Sequence, residues 1–420
     1  MRINNPFRPR LLAAAIIVLA AQSAVAQTSG GSTYSIFNLG DLRGASTAAA
    51  AGRGGVEAAV PSPWIINSVN PALWADLEFV TLQAAMNFEQ YEVSDANTSI
   101  RQNQSKLQDF AAAFPYSDKF GGTLAFGVRP YSTVNYRTQV ERDVQTADTL
   151  SRARITYGGQ GGLSEALLGS SFSPVEWLSL GVSGSLFFGS ITSESAVEFP
   201  TNTTLNPALY RTSDMYLGSG VRAGLSVKPV ENLTLAGVFE SGSTLTRERY
   251  ESSRFIDNNR EIIDTTSVVK DDLKLPSKIT AGASYLLGRF LFSTDAAFQS
   301  WSTEHFTTAR PASRFAIGID RMPSTSMNAT GFERWSFRFG GYFEQTYYQL
   351  ANGQGIDQMG VTLGARYPIS NSGHLTAGTA LDVAIELGRR GSIDNGLTQE
   401  LYGKLWIELA VSELWFVRRR

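Results

Sequence analysis

Charged side chains recur at alternate positions between residues 338 and 408, within stretches that are otherwise apolar. Alternate residues of a β-strand point to the same side, so these charges are expected to share one interior face. The set has three basic and four acidic members: Arg338, Glu344, Arg366, Asp382, Glu386, Lys404 and Glu408. Isolated buried charges are costly, and we therefore expect the seven to pair as a structural ladder. A relay for protons or ions is the alternative use of the same set.

Residues suited to covalent chemistry are scarce. The chain has no cysteine and two histidines, His305 and His374. Ser302 and His305 could supply a nucleophile and a base, but the sequence offers no third member of a triad. The patterns HExxH, GxSxG and GxxxxGKS/T are absent. We expect no enzymatic activity, no metal centre and no cofactor, and a hydrolase that uses His305 is the least favoured alternative.

Composition excludes further classes of protein. The chain has 420 residues, of which 43% are hydrophobic and 18% charged, and its formal net charge is −2. It is too apolar for a disordered protein, and the charge gives no reason to expect a nucleic-acid partner. After residue 26 no run of 18 apolar residues occurs, which argues against a bundle of transmembrane helices.

The first 26 residues have the pattern of a cleavable signal peptide. Arg2, Arg8 and Arg10 precede the apolar run 11–21, and Ala24-Val25-Ala26 has the small-x-small pattern of a cleavage site. An apolar run of this length is too short to cross a bilayer. The pattern predicts export from the cytoplasm, with residues 1–26 removed.

Period-two alternation dominates the chain from residue 79 onward. Apolar and polar residues alternate over about ten residues at a time, which is the length of a tilted strand that crosses a membrane. The runs number fourteen, an even count as bacterial barrels require, and we place them near 79–92, 106–116, 120–140, 150–172, 178–198, 210–228, 233–248, 270–287, 290–303, 312–321, 335–348, 356–367, 374–389 and 400–417. The sequence therefore predicts an all-β protein, a transmembrane antiparallel barrel over residues 79–420.

Two features bear on this reading. Periplasmic turns should be short, yet the connection 322–334, which falls on that side, has about thirteen residues. Tryptophans at or near predicted strand ends are expected in the interfacial girdles; they are Trp177, Trp301, Trp335, Trp406 and Trp415. The long segment 249–269 is expected to be the longest external loop.

Residues 27–78 do not alternate and are rich in small residues and proline. About fifty residues ahead of the first strand is long for a loose tail. We expect this segment to fold into the lumen as a hatch, or plug; a flexible periplasmic linker is the alternative.

Within this segment, residues 68–77 read SVNPALWADL, with Asn70-Pro71-Ala72 at the centre, after YSIFNLGDLRGAS (34–46) and GRGGVEAAV (52–60). The chain resembles FadL-type outer-membrane transporters of long-chain fatty acids and other hydrophobic compounds, in which an N-terminal hatch with an Asn-Pro-Ala motif plugs a fourteen-stranded barrel. Later segments such as GVRPYSTVNY (127–136) and FRFGGYFEQT (337–346) are similar to a branch of this superfamily found in Bacteroidetes-like bacteria. The resemblance implies a hatch or gating role for Asn70, Pro71 and Ala72; a purely structural role for the motif is an equal alternative.

Passage through such a barrel needs an exit, either by movement of the hatch or through a gap in the wall. Proline and clustered glycine weaken strand pairing, and two sites of this kind stand in consecutive predicted strands. They are Pro130 and the group Gly158, Gly159, Gly161 and Gly162. Bulges without a transport role are the alternative.

The resulting prediction is an outer-membrane channel for passive uptake of hydrophobic small molecules, long-chain fatty acids among them. The alternative is a FadL-like barrel that binds or assembles exported proteins, as in type IX secretion; the polar external segments fit this better. Expected partners are outer-membrane lipid and lipopolysaccharide, a hydrophobic substrate, and the barrel-assembly machinery during biogenesis.

Overall fold

The structure is a computed structural model that describes residues 30–413, apart from 146–149, 201–204, 258–259, 303–305, 307, 325, 327–328, 330, 351, 370–377 and 394–397. The predicted signal peptide, His305, His374 and Trp415 lie outside the described residues. No helix in the described part is long and apolar enough to span a membrane.

Antiparallel strands form one closed sheet in which β18 pairs with β2 along fifteen residues, from Val80–Glu413 to Ser94–Gln399. The strands are β1 Asp41–Leu42, β2 Val80–Ser94, β3 Ser99–Ser117, β4 Gly122–Pro130, β5 Ser132–Gln145, β6 Leu150–Val175, β7 Leu178–Glu198, β8 Ala208–Val230, β9 Leu233–Glu240, β10 Ser243–Asp257, β11 Arg260–Leu275, β12 Lys278–Leu287, β13 Phe290–Gln299, β14 Ala312–Arg321, β15 Ser336–Gln349, β16 Gly355–Pro368, β17 Thr379–Gly391 and β18 Gln399–Glu413.

Three of the wall's strands are bent and are therefore counted in two parts. β4 and β5 both pair with β6, and β9 and β10 both pair with β8. β11 and β12 are likewise two parts of one strand, because β11 pairs with β10 and β12 pairs with β9. Counting each bent strand once gives fourteen, and the predicted fourteen-stranded barrel is confirmed.

The alternation of the sequence becomes the two faces of the wall. On β2, Leu82 and Phe88 are exposed on the outside, while Gln83 and Asn87 are buried in the lumen. The same pattern on other strands gives the barrel an apolar belt toward lipid and a polar interior, as in outer-membrane barrels.

Six strands continue beyond the belt as one sheet, which we call the external sheet. It comprises residues 132–145, 150–162, 190–198, 208–219, 243–257 and 260–275 of β5, β6, β7, β8, β10 and β11. β6 alone has 26 residues, whereas about 9–11 suffice to cross a bilayer. The expected external loop 249–269 is corrected: it is part of the β10–β11 hairpin, whose outward face carries Glu248 and Lys270 where lipid-facing strands carry apolar residues.

The long connection between β14 and β15, residues 322–335, lies at the same end as the short turns, where the strand count placed it, and it includes a 3₁₀ turn at Gly331–Arg334. Two expectations about other segments were wrong. Trp301 and Trp406 are 2% and 3% exposed and lie inside the barrel, not in an interfacial girdle. The predicted single strand 120–140 bends at Tyr131.

Residues 30–78 run through the lumen, and we call them the lumen segment. They begin beside the external ends of β5 and β18 and reach the periplasmic end at a 3₁₀ turn, Pro71–Asp76, that contacts β6, β7 and β8. Between them lies a short helix, Ala48–Ala51, which contacts β16, β17 and β18. The boundary at residue 26 and the role of this segment as a hatch stay predictions.

Candidate functional site

The outer end of the lumen segment is held by buried charges of β17 and β18. Glu400 accepts hydrogen bonds from Ser32 Oγ (2.8 Å to Oε2) and from Thr33 N (2.6 Å to Oε1). Arg390 donates to Ser32 Oγ at 2.8 Å and to Asp41 Oδ1 at 2.9 Å. Sequence reasoning missed Glu400 and Arg390, although both continue the alternation that leads to Lys404 and Glu386.

Large apolar side chains pack around this outer end. Trp301 and Tyr347 have ring centroids 4.5 Å apart, and Tyr34 lies against Tyr348 at 6.1 Å. Leu39 belongs to the same buried cluster. The external mouth of the lumen is thus filled by side chains from the lumen segment and the wall.

Deeper in the lumen, the charges that the sequence placed on one face meet one another and the lumen segment. Asp382 accepts from Arg338 Nη1 at 2.5 Å and from Arg366 Nη1 at 2.6 Å. Lys404 donates to Glu386 at 2.9 Å. These five of the seven candidates pair among themselves.

The remaining two candidates bind other groups. Glu344 accepts from Arg314 Nη1 at 2.6 Å. Glu408, which is fully buried, accepts from Ala48 N at 2.7 Å at the start of the short helix. A side chain of the wall therefore binds the backbone of the lumen segment. The function of the seven charges stays a prediction.

Arg53 and Glu57 are buried charges of the lumen segment that the sequence analysis did not single out. Arg53 Nη2 lies 2.9 Å from Asp320 on β14. Glu57 accepts from Ser68 N at 2.6 Å and from Ser68 Oγ at 2.9 Å.

The Asn-Pro-Ala motif sits against the wall. Asn70 is fully buried; its Nδ2 donates to Ala58 O at 2.8 Å, and its Oδ1 accepts from Ala72 N at 3.0 Å. Asn70 thereby caps the 3₁₀ turn that begins at Pro71, where the fixed φ of proline suits the first position. A Cβ atom at Gly224 on β8 would overlap Asn70 Oδ1, and one at Gly181 on β7 would overlap Pro71. The motif is thus a close contact between the lumen segment and two glycines.

We expect Gly224→Val to push the motif off the wall and to expose the lumen segment to proteases. The matched control is Gly237→Val on the adjacent strand β9, where an added Cβ meets no atom within 4 Å. Limited proteolysis with mass mapping compares the two variants. Equal cleavage within residues 30–78 would show that the contact does not hold the segment.

The wall is interrupted where β4 gives way to β5. β4 pairs with β3 at Phe110–Ser117, but residues 99–109 of β3 have no ladder partner other than β2 among the described pairings. β5 turns toward the lumen and pairs with β1 at Ser132 and Thr133. The interruption therefore lies between the outer half of β3 and β5.

Only some of the residues that the sequence predicted for a lateral opening lie at this bend. Pro130 ends β4, and Gly161 and Gly162 stand across from the bend with φ of +115° and +141°. In that backbone conformation a side chain is strained, and a Cβ at Gly162 would overlap Ser132 O. Gly158 and Gly159 lie farther out along the β5–β6 pairing. A lateral opening at this point stays a proposal.

The lumen segment fills the interruption. Gly31 N donates to Asn135 O at 2.8 Å, and Asn135 N donates to Ser35 Oγ at 3.0 Å, so the segment takes the position of a missing strand. From the other side, Gln104 Oε1 accepts from Asn135 Nδ2 at 3.0 Å. The seal consists of residues 30–35 and glutamine side chains of β3.

A cavity of about 140 Å³ lies beside the bend. Pro130, Tyr131 and Phe187 supply apolar lining, and Glu165 contributes a carboxylate. That carboxylate accepts from Arg129 Nε at 2.8 Å and from Arg222 Nη2 at 2.9 Å. The cavity is thus small and has paired charges in its wall. Among the described residues, no group of three or more His, Asp or Glu side chains is arranged to hold a metal ion.

A family model named BamG matches residues 10–420, almost the entire chain. The chain belongs to the BamG family. No curated protein matches it.

Solved structures with similar folds have channel or transporter titles. A FadL homologue of Pseudomonas aeruginosa has 14% identity and a TM-score of 0.58, covering 89% of this chain and 99% of that one. The CymD monoaromatic hydrocarbon channel has 14% identity and a TM-score of 0.59, covering 91% and 100%. The Pseudomonas putida toluene transporter TodX has 13% identity and a TM-score of 0.56, covering 90% and 100%. The expected resemblance to FadL-type barrels is confirmed, and at this identity the likeness establishes the fold of the BamG-family chain.

Proposed function

We propose that this BamG-family barrel binds other proteins at the outer membrane, as a component that works with the barrel-assembly machinery. The observation that carries the proposal is the external sheet. It continues far beyond the lipid belt, and outward charges pair within it, as in Lys270 with Glu248 and Arg211 with Glu194. A large polar surface of this kind is suited to a macromolecular partner.

One edge of the external sheet supports this reading, because in the described ladders β11 pairs only with β10. An edge with free backbone N–H and C=O groups can accept a strand from another chain. The name of the family, BamG, also suggests barrel assembly. Exported proteins belong to the same class of partner.

Photo-crosslinking tests the proposal. Tyr250 and Val268 are opposed on the outward face of the β10–β11 hairpin and are 37% and 55% exposed. With a photoreactive residue at either position, we expect a covalent adduct with a subunit of the barrel-assembly machinery. Leu225, on the lipid-facing side of β8 and 41% exposed, is the matched control. Adducts at none of these positions, or equally at Leu225, would reject the proposal.

A second function, passage of small hydrophobic molecules, is favoured by the cavity at the wall interruption. An engineered apolar cavity of about 150 Å³ binds benzene, so about 140 Å³ suits a molecule of one aromatic ring. The titles of similar structures name toluene and monoaromatic hydrocarbons. A long-chain fatty acid needs a longer pocket, which this closed arrangement would have to open.

A further inference from the structure

A hollow of about 530 Å³ indents the lipid-facing surface of the wall between β13 and β17. Two rows of outward side chains form it. One row runs across the strands through Phe337, Ala365 and Val383, and the next runs through Phe339, Leu363 and Ile385. Ala365 is much smaller than its two cross-strand neighbours, so the surface is indented at that point. The hollow is almost entirely apolar and open to the membrane.

A cation stands at the rim of this hollow. Arg321 is the last residue of β14 and lies in the row of Phe337, directly opposite it across the β14–β15 ladder. Its guanidinium carbon is 5.7 Å from the Phe337 ring centroid. An arginine on the lipid-facing side is costly at the bilayer centre and nearly free of cost at the interface, which places this row at the membrane boundary.

Backbone carbonyls of the connection 322–335, which is unusually long for a periplasmic turn, bind two arginines: Arg321 at the rim of the hollow and Arg289 in the turn between β12 and β13. Arg321 Nη1 donates to Phe332 O at 3.1 Å, and Arg289 Nη2 donates to Met322 O at 3.0 Å. Among the described residues, neither arginine forms a salt bridge with a carboxylate within 4.0 Å. Their remaining N–H groups therefore have capacity for an anionic ligand.

Aromatic rings complete the boundary. Phe332 is 69% exposed, and its ring lies 5.2 Å from that of Trp335, which packs against Tyr367 at 5.1 Å. Aromatic side chains gather at the level of lipid headgroups. The same end of the barrel carries the short turns, which face the periplasm in outer-membrane barrels. The hollow therefore opens to the inner leaflet, where the lipids are glycerophospholipids.

We propose that this hollow is a binding site for an anionic phospholipid of the inner leaflet. Its acyl chains lie on Ala365 and Leu363, and its phosphate is bound by Arg321 and Arg289. Guanidinium groups suit phosphate because they donate two parallel hydrogen bonds to it. In this proposal the long connection 322–335 fixes the two guanidinium groups in place for the phosphate.

Native mass spectrometry of the full-length barrel in detergent tests the site, with phosphatidylglycerol or phosphatidylethanolamine added. We expect the parent protein to retain phosphatidylglycerol in excess, and Arg321→Gln with Arg289→Gln to lower that retention about tenfold, as loss of a charge-assisted contact predicts. Ala365→Phe, which fills the hollow, should lower retention of both lipids.

Two control variants separate a site from a general effect. Lys119 stands over the Phe120 ring at 5.1 Å in another turn at the same end, so Lys119→Gln removes a comparable cation. Ala281 is an outward-facing alanine on β12, so Ala281→Phe adds the same bulk elsewhere. Equal losses in test and control variants would overturn the proposal. Absence of any phosphatidylglycerol excess, or a mass that corresponds to a second protein chain and not to lipid, would also overturn it.

Discussion

Replacing Asp382 with alanine is expected to destabilise the barrel by about 3–5 kcal/mol, because it leaves buried cations without their partner. Asp382 is fully buried and is shared by Arg338 and Arg366, one on each carboxylate oxygen. After the substitution Arg338 keeps a contact only with Asp320, at 3.5 Å, among its described carboxylate partners. Arg366 loses its one described salt bridge.

The matched control is Asp271→Ala in the external sheet. Asp271 pairs with Arg247 as Asp382 pairs with its arginines, but its side chain is 43% exposed. Water replaces such a partner, so the expected cost is below about 1 kcal/mol. Urea unfolding in lipid vesicles, followed by tryptophan fluorescence, gives both values. A similar small cost for both variants would argue that the lumen charges are not a structural ladder and would favour the relay reading.

The strand count could be predicted because alternation is a local property of the chain. Leu82 and Phe88 on one face, and Gln83 and Asn87 on the other, are visible in the sequence alone. The interior charges follow by the same rule. Extending it by two inward-facing positions, from Lys404 back to Glu400 and from Glu386 on to Arg390, would have found both of the missed residues. Alternation cannot show which charged side chains pair with each other, because the distance between two side chains on different strands depends on the register of those strands.

The bend at Tyr131 and the external sheet were not predictable in the same way. The bend depends on Gly161 and Gly162 of a different strand, whose positive φ values are set by that pairing. The β10–β11 hairpin resembled a loop because its outward face mixes Tyr250 and Val268 with charged residues such as Glu248 and Lys270, so the alternation of apolar and polar residues is weak there. Trp301 follows the end of β13 and Trp406 lies at the middle of β18, and both side chains point into the filled lumen, where large aromatic rings pack against other side chains.

Locking the lumen segment to the bend is expected to abolish any passage through the wall interruption. Leu42 and Ser132 are opposed in the short β1–β5 ladder, and Cα atoms of opposed antiparallel residues are about 4.5–5.5 Å apart, within reach of a disulfide. The chain has no cysteine of its own, so a Leu42→Cys, Ser132→Cys pair can form only this bond. If small aromatic molecules cross here, uptake of isotope-labelled toluene by bacteria that carry the barrel in their outer membrane should fall to the level of bacteria without the barrel when the pair is oxidised, and should return on reduction. Each single variant is the control and should behave as the parent protein under both conditions.

Uptake that persists when the disulfide is formed would exclude this route. A parent protein that takes up no toluene would remove the second candidate function and leave protein binding, which the lock should not affect because β1 lies in the lumen, away from the outward face of the external sheet.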